Sequence, residues 1–162
     1  MAETSLLDDL YREILLDHYR NPRNHGELEA PSCSADGANP LCGDEITVAV
    51  ALEGDEIADI QFTGQGCSIS QASASMMTEY VKGRDRAAAE RAIALFQEMM
   101  ISGETPEGEG FDDIEALIGV AKFPVRVKCA SLGWKTLEQA LGGSANGAAG
   151  AVTTDDRSTS HG

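Results

Sequence analysis

The 162-residue chain is 42% apolar and sets 27 acidic residues against 12 lysines and arginines, a formal net charge of −15. A chain of that size buries most of its apolar surface in one domain, and a field so negative repels nucleic acid and anionic lipid, leaving basic protein surfaces as the partners that charge favours. The opening MAETSLLDDLYREILL has neither the positive start nor the long apolar core of a signal peptide, and no run reaches membrane-spanning length, so a cytoplasmic protein is expected.

The first element is a helix from Ser5 to about Tyr19, with Leu6, Leu10, Ile14 and Leu15 at helical spacing and Ser5 as N-cap. NPRNHG then stops it, because the proline disfavours helix at Asn21 and Gly26 suits a turn. His18 and His25 lie near this corner and read as packing or hydrogen-bonding residues, since neither has a partner at metal-binding spacing. Glu27 to Leu41 is irregular, with room for one short strand. Ile46, Val48, Val50 and Leu52 then alternate with polar or small residues, as do Ile60 and Phe62 after the Glu53–Glu56 turn, which makes an antiparallel hairpin with one buried face.

TGQGC bends the chain into SISQASASMMTEYVKG, a helix of small residues ended by Gly83. DRAAAERAIALFQEMMI is a second helix that buries Ala92, Leu95, Phe96 and Met99, its methionine pair filling core. After the acidic loop SGETPEGEG come a short helix in DDIEALIGVAKF and a longer one in FPVRVKCASLGWKTLEQAL, with Pro124 in its first turn. The segment 143–162, including His161, has too little apolar mass to fold and is expected to be disordered, leaving 1–142 as the domain. The order helix, strands, helices predicts an α+β fold: a small antiparallel sheet with α-helices on one face.

Cys33, Cys42, Cys67 and Cys129 are scattered, with no CxxC pair, and a reducing compartment does not favour disulfides. Cys42 and Asp44 precede the first hairpin strand and Cys67 follows the second, so the antiparallel pairing brings these three groups to one edge. Cys67 also starts a helix, where free amides and the macrodipole favour thiolate. Cys129 lies inside the last long helix with Arg126 three residues before it, a cation expected beside the sulfur. Periodicity does not say whether that helix reaches the hairpin edge. If it does, three thiols and a carboxylate form a tetrahedral set suited to zinc; if not, the cysteines are independent buried small residues. Cys33, between two serines, reads as a partly buried small residue.

NPRNHG, CGDEITV, FTGQGCSISQASASMMTEYVKG and VRVKCASLGW together resemble the IscU/NifU-type family of iron–sulfur biogenesis proteins, from about Leu6 to Leu141. The resemblance implies an IscU/SufU-like fold and a metal site of Cys42, Asp44, Cys67 and Cys129. Family scaffolds carry a histidine directly before the third cysteine, where this chain has Lys128, and an insertion of roughly twenty residues separates Cys67 from Cys129. Both departures resemble the SufU branch, whose members are zinc-dependent sulfur acceptors. For this chain the likeness implies zinc as cofactor, a SufS-type cysteine desulfurase and downstream iron–sulfur assembly proteins as partners, and a sulfurtransferase role in which Cys42 takes the persulfide sulfur. Two rivals are an IscU-type scaffold assembling a transient [2Fe–2S] cluster on the same residues and a structural zinc module.

Overall fold

A computed structural model describes residues 2–40, 43–104, 112–143 and 151–153. The hairpin follows the alternation that predicted it. Strand β2 (Asp44–Glu53) turns inward Ile46, Val48 and Val50 and leaves Glu45 and Thr47 exposed. It pairs antiparallel with β3 (Glu56–Gln65) from Glu45↔Gln65 to Glu53↔Glu56, through a two-residue loop whose first position, Gly54 at φ 63°, needs glycine. Ile57 and Ile60 are three apart yet both buried. A register shift, pairing Ala51 with Asp59 but Leu52 with Ile57, supplies the extra residue that keeps both on the core face.

The irregular stretch before the hairpin contains β1 (Cys33–Asn39), antiparallel to β2 with Cys33↔Val50 at one end and Asn39↔Asp44 at the other. The sheet order is β3-β2-β1-β4, in which the three-residue β4 (Ala151–Thr153) runs parallel to β1. The segment expected to be disordered thus contributes this strand, and the rest of 144–162, with His161, lies outside the described residues. The NPRNHG corner covers the opposite edge: Gly26 N–H donates to Phe62 O and Phe62 N–H to Asn24 O, capping an edge strand that would otherwise present open backbone.

The helices pack on one face, as predicted. They are α1 (Ala2–Arg20), α2 (Ser68–Val81), α3 (Arg86–Ser102) and α4 (Pro124–Gly143), with α4 on β1 and β2, and α2 on β3. In α3, Ala92, Phe96 and Met99 are buried as expected; Ile93 and Met100 join them, while Leu95 is half-buried. The segment read as a short helix is a 3₁₀ helix over Asp112–Lys122. Its buried Ile114, Leu117 and Val120 recur every three residues, the period of a three-residue turn.

Small residues in α2 let α4 come close. A Cβ on Gly133 would stand 3.2 Å from the Ala74 Cβ. Between the two helices the buried Ser73 hydroxyl donates to Ala130 O at 2.6 Å and accepts from Trp134 Nε1 at 3.1 Å, while the Trp134 ring stacks on Phe96 with centroids 4.4 Å apart. Ser73→Ala leaves both partners without this hydroxyl in the interior, at an expected cost of about 1–3 kcal/mol, read as a lowered urea midpoint at unchanged slope.

Candidate metal centre

Asp44 opens β2 and Cys67 follows the end of β3, so strand pairing alone carries both to one end of the sheet. Local chemistry then locks them together. Cys67 is the N-cap of α2, its sulfur accepting from Ser70 N–H at 3.5 Å. The Cys67 N–H donates to Asp44 Oδ1 at 2.8 Å, and the Cys67 sulfur lies 3.8 Å from Asp44 Oδ2. This approach requires glycine before the cysteine: a Cβ on Gly66 would lie 2.9 Å from Asp44 Cγ and 2.8 Å from Ser70 Oγ.

Helix α4 does reach this edge. Cys129, 3% exposed, presents its sulfur so that one ligand atom each from Asp44, Cys67 and Cys129 lie within 4.8 Å of one another. The fourth residue expected there, Cys42, lies outside the described residues. Cys33 is at the far end of β1, opposite Val50, about 20 Å along the strand from the Asn39–Asp44 end. Burial pushes its thiol pKa up, against an opposing pull from Arg86, so it stays a thiol at neutral pH. The described histidines are engaged elsewhere, His18 Nδ1 with Ser75 Oγ at 2.8 Å and His25 edge-on to the Phe62 ring.

The donor set fits a cation. Asp44 is 1% exposed and forms no ion pair with a lysine, arginine or histidine among the described residues, while two sulfurs stand beside it. Ligand atoms around a tetrahedral zinc are about 3.3–3.8 Å apart, and the Cys67 sulfur and Asp44 Oδ2 already stand 3.8 Å apart. Sulfur donors select zinc or iron–sulfur chemistry over magnesium or calcium.

Two contributors were not evident from sequence. Asn39 Nδ2 donates to the Cys129 sulfur at 3.7 Å, and the Ser70 hydroxyl donates to Cys67 O at 3.1 Å. The N-cap spacing from Cys67 to Ser70 signals the second; Asn39 has only its place three residues before Cys42. Arg126, expected beside the Cys129 sulfur, has its guanidinium carbon 5.2 Å from the centre of the Phe123 ring, at the rim of a groove lined by Tyr11, Leu15, Ile69 and Val120. Phe123, which also lines it, is exposed. From Ala116 to Leu137 the sequence has no carboxylate and four of the twelve cations, so the segment that carries Cys129 is positive in a chain that is negative as a whole.

Residues 10–143 match the NifU-like N terminal domain. The chain belongs to that family. Among its relatives is the zinc-dependent sulfurtransferase SufU of Bacillus subtilis (strain 168), 48% identical over 87% of this chain and 95% of that one. The iron-sulfur cluster assembly scaffold protein IscU of Streptococcus pyogenes serotype M1 is 42% identical over 88% and 89%. A solved structure assigned to iron-sulfur cluster assembly for the SUF system of Fervidobacterium islandicum AW-1 superposes with a TM-score of 0.75 at 37% identity, covering 80% of this chain and 94% of that one. The kinship expected from the NPRNHG, CGDEITV and GQGC motifs is thereby borne out, and so is the α+β fold of the NifU-like domain. No helix among the described residues is long and apolar enough to cross a membrane.

Proposed function

We propose that this chain is a zinc-dependent sulfur acceptor that takes persulfide sulfur from a SufS-type cysteine desulfurase in the cytoplasm and relays it to iron–sulfur cluster assembly. The observation that carries the reading is the convergence of Asp44, Cys67 and Cys129, a thiol-rich set with one carboxylate. Cys42 completes it, since two residues of chain hold its Cα within about 7 Å of that of Asp44. Zinc, when bound, keeps thiol ligands deprotonated near neutral pH.

The remaining chemistry belongs to the chain's own residues. The Cys42 thiolate attacks the outer sulfur of the desulfurase's Cys–S–SH, a new S–S bond forms on Cys42, the old one breaks, and the desulfurase cysteine leaves as thiolate while the terminal S–H is retained. Gly43, at φ 70°, lets the chain turn between acceptor and carboxylate. Asp44 is held by the Cys67 amide and Cys67 by the Ser70 amide, contacts that do not involve Cys42.

A second reading, a scaffold for a [2Fe–2S] cluster, draws on relatives named as IscU scaffolds. Lys128, directly before Cys129, stands against it, because the family resemblance implies a histidine at that position in scaffolds. Adding the zinc-loaded protein to a pyridoxal-phosphate cysteine desulfurase separates the two. Faster sulfide release and a 32-Da gain on Cys42, about one sulfur atom, support the acceptor. Unchanged turnover with a stable, transferable cluster after anaerobic reconstitution supports the scaffold.

A further inference from the structure

Each described member of the cluster receives at least one N–H donor. Asp44 takes the Cys67 amide and Cys67 takes the Ser70 amide, both from backbone; Cys129 takes a side chain, Asn39 Nδ2, at 3.7 Å. Backbone donors come with the N-cap fold and survive most substitutions. The Asn39 donor depends on one residue.

Its placement is specific. Asn39 ends β1 directly across from Asp44, so the register that delivers the carboxylate also delivers the amide. It is 0% exposed, and the contact joins residues 90 positions apart. An asparagine is not kept fully buried for its apolar contribution, since its amide costs free energy there unless partnered. Thiolates and a carboxylate around one divalent ion leave an excess of negative charge, in a chain already at −15. A neutral amide aimed at a thiolate withdraws electron density from the sulfur and offsets part of that excess without adding a charge of its own.

We propose that Asn39 is a positioning residue of the metal centre, orienting the Cys129 sulfur and tempering its electron donation through the Nδ2–H···Sγ bond. This rests on the metal-centre reading above. The test uses cobalt(II) and zinc(II) with the full chain and its Asn39→Leu variant, in which the branched shape is kept and the donor removed. Asn39→Leu is expected to bind zinc about 10–100-fold more weakly in chelator competition. Its sulfur-to-cobalt charge-transfer band should move to lower energy, because a sulfur without its hydrogen bond gives up electrons more readily. A residue that merely filled space would leave the band where it is.

Unchanged affinity and band position in Asn39→Leu, with the parent chain binding both ions, overturn the inference alone. Failure of the parent chain to bind either ion removes the metal centre and the inference with it. Should Asn39→Leu not fold, Asn39→Ala, which only deletes atoms, is read by the same two measurements and the same criteria.

Discussion

Cys42→Ser is expected to abolish persulfide formation on the chain and its stimulation of a cysteine desulfurase, while leaving part of the zinc in place. The serine hydroxyl is far less acidic than a thiol and does not attack a persulfide sulfur at neutral pH. The cluster formed by Asp44, Cys67 and Cys129 is untouched, because the contacts that hold it run through the Cys67 and Ser70 amides and Asn39. Sulfide release measured with and without the variant, beside zinc content by chelator titration, reads both halves. Stimulation that survives the substitution would falsify Cys42 as acceptor even if zinc were bound normally.

The second large effect is expected from a residue with no functional atoms. Gly66→Ala puts a methyl group where the Asp44 carboxyl carbon stands 2.9 Å away and the Ser70 oxygen 2.8 Å away. Neither neighbour retreats easily: the carboxylate holds the Cys67 amide and is buried, and the Ser70 hydroxyl holds Cys67 O. The carboxylate must swing, and the N-cap contact to Cys67 goes with it. Overpacking costs about 1–3 kcal/mol of stability, and the displaced ligand about 10–100-fold in zinc affinity. Thermal unfolding of the metal-free variant and a zinc competition titration measure the two separately; parental values in both would show that the bend has slack that its geometry does not suggest.

The parts of the fold that could be read from sequence are those where one buried face imposes a period. Ile46, Val48 and Val50 alternate because β2 has the core on one side, and that alternation fixed the strand ends and hence the meeting of Asp44 with Cys67. Strand β1 was legible only as room for a short strand, because CSADGAN has no large apolar residue; its order comes from pairing with β2 and from α4 lying over Gly37. The 3₁₀ segment read as a helix since apolar residues every three positions also fall near one face of an α-helix. Cys129 was placed at the site by family resemblance alone. Its arrival there depends on two helices meeting through Ser73, Ala74 and Gly133, an event without a local signature. Asn39 escaped because an asparagine before a proline reads as turn chemistry, and only the register with Asp44 reveals its direction.

The contact between Ala74 and Gly133 has a reach beyond packing. Cys67 heads the helix that carries Ala74, and Cys129 sits one turn ahead of Gly133 on the other, so the crossing that brings the two sulfurs together includes one methyl group facing a bare backbone. That contact acts as a spacer, and its thickness can be altered without touching a sulfur, an oxygen or any residue that binds them. The bareness of the backbone at Gly133 is thus felt nearly two turns away, at the head of the helix, because any side chain added there would meet Ala74 where the two rods cross.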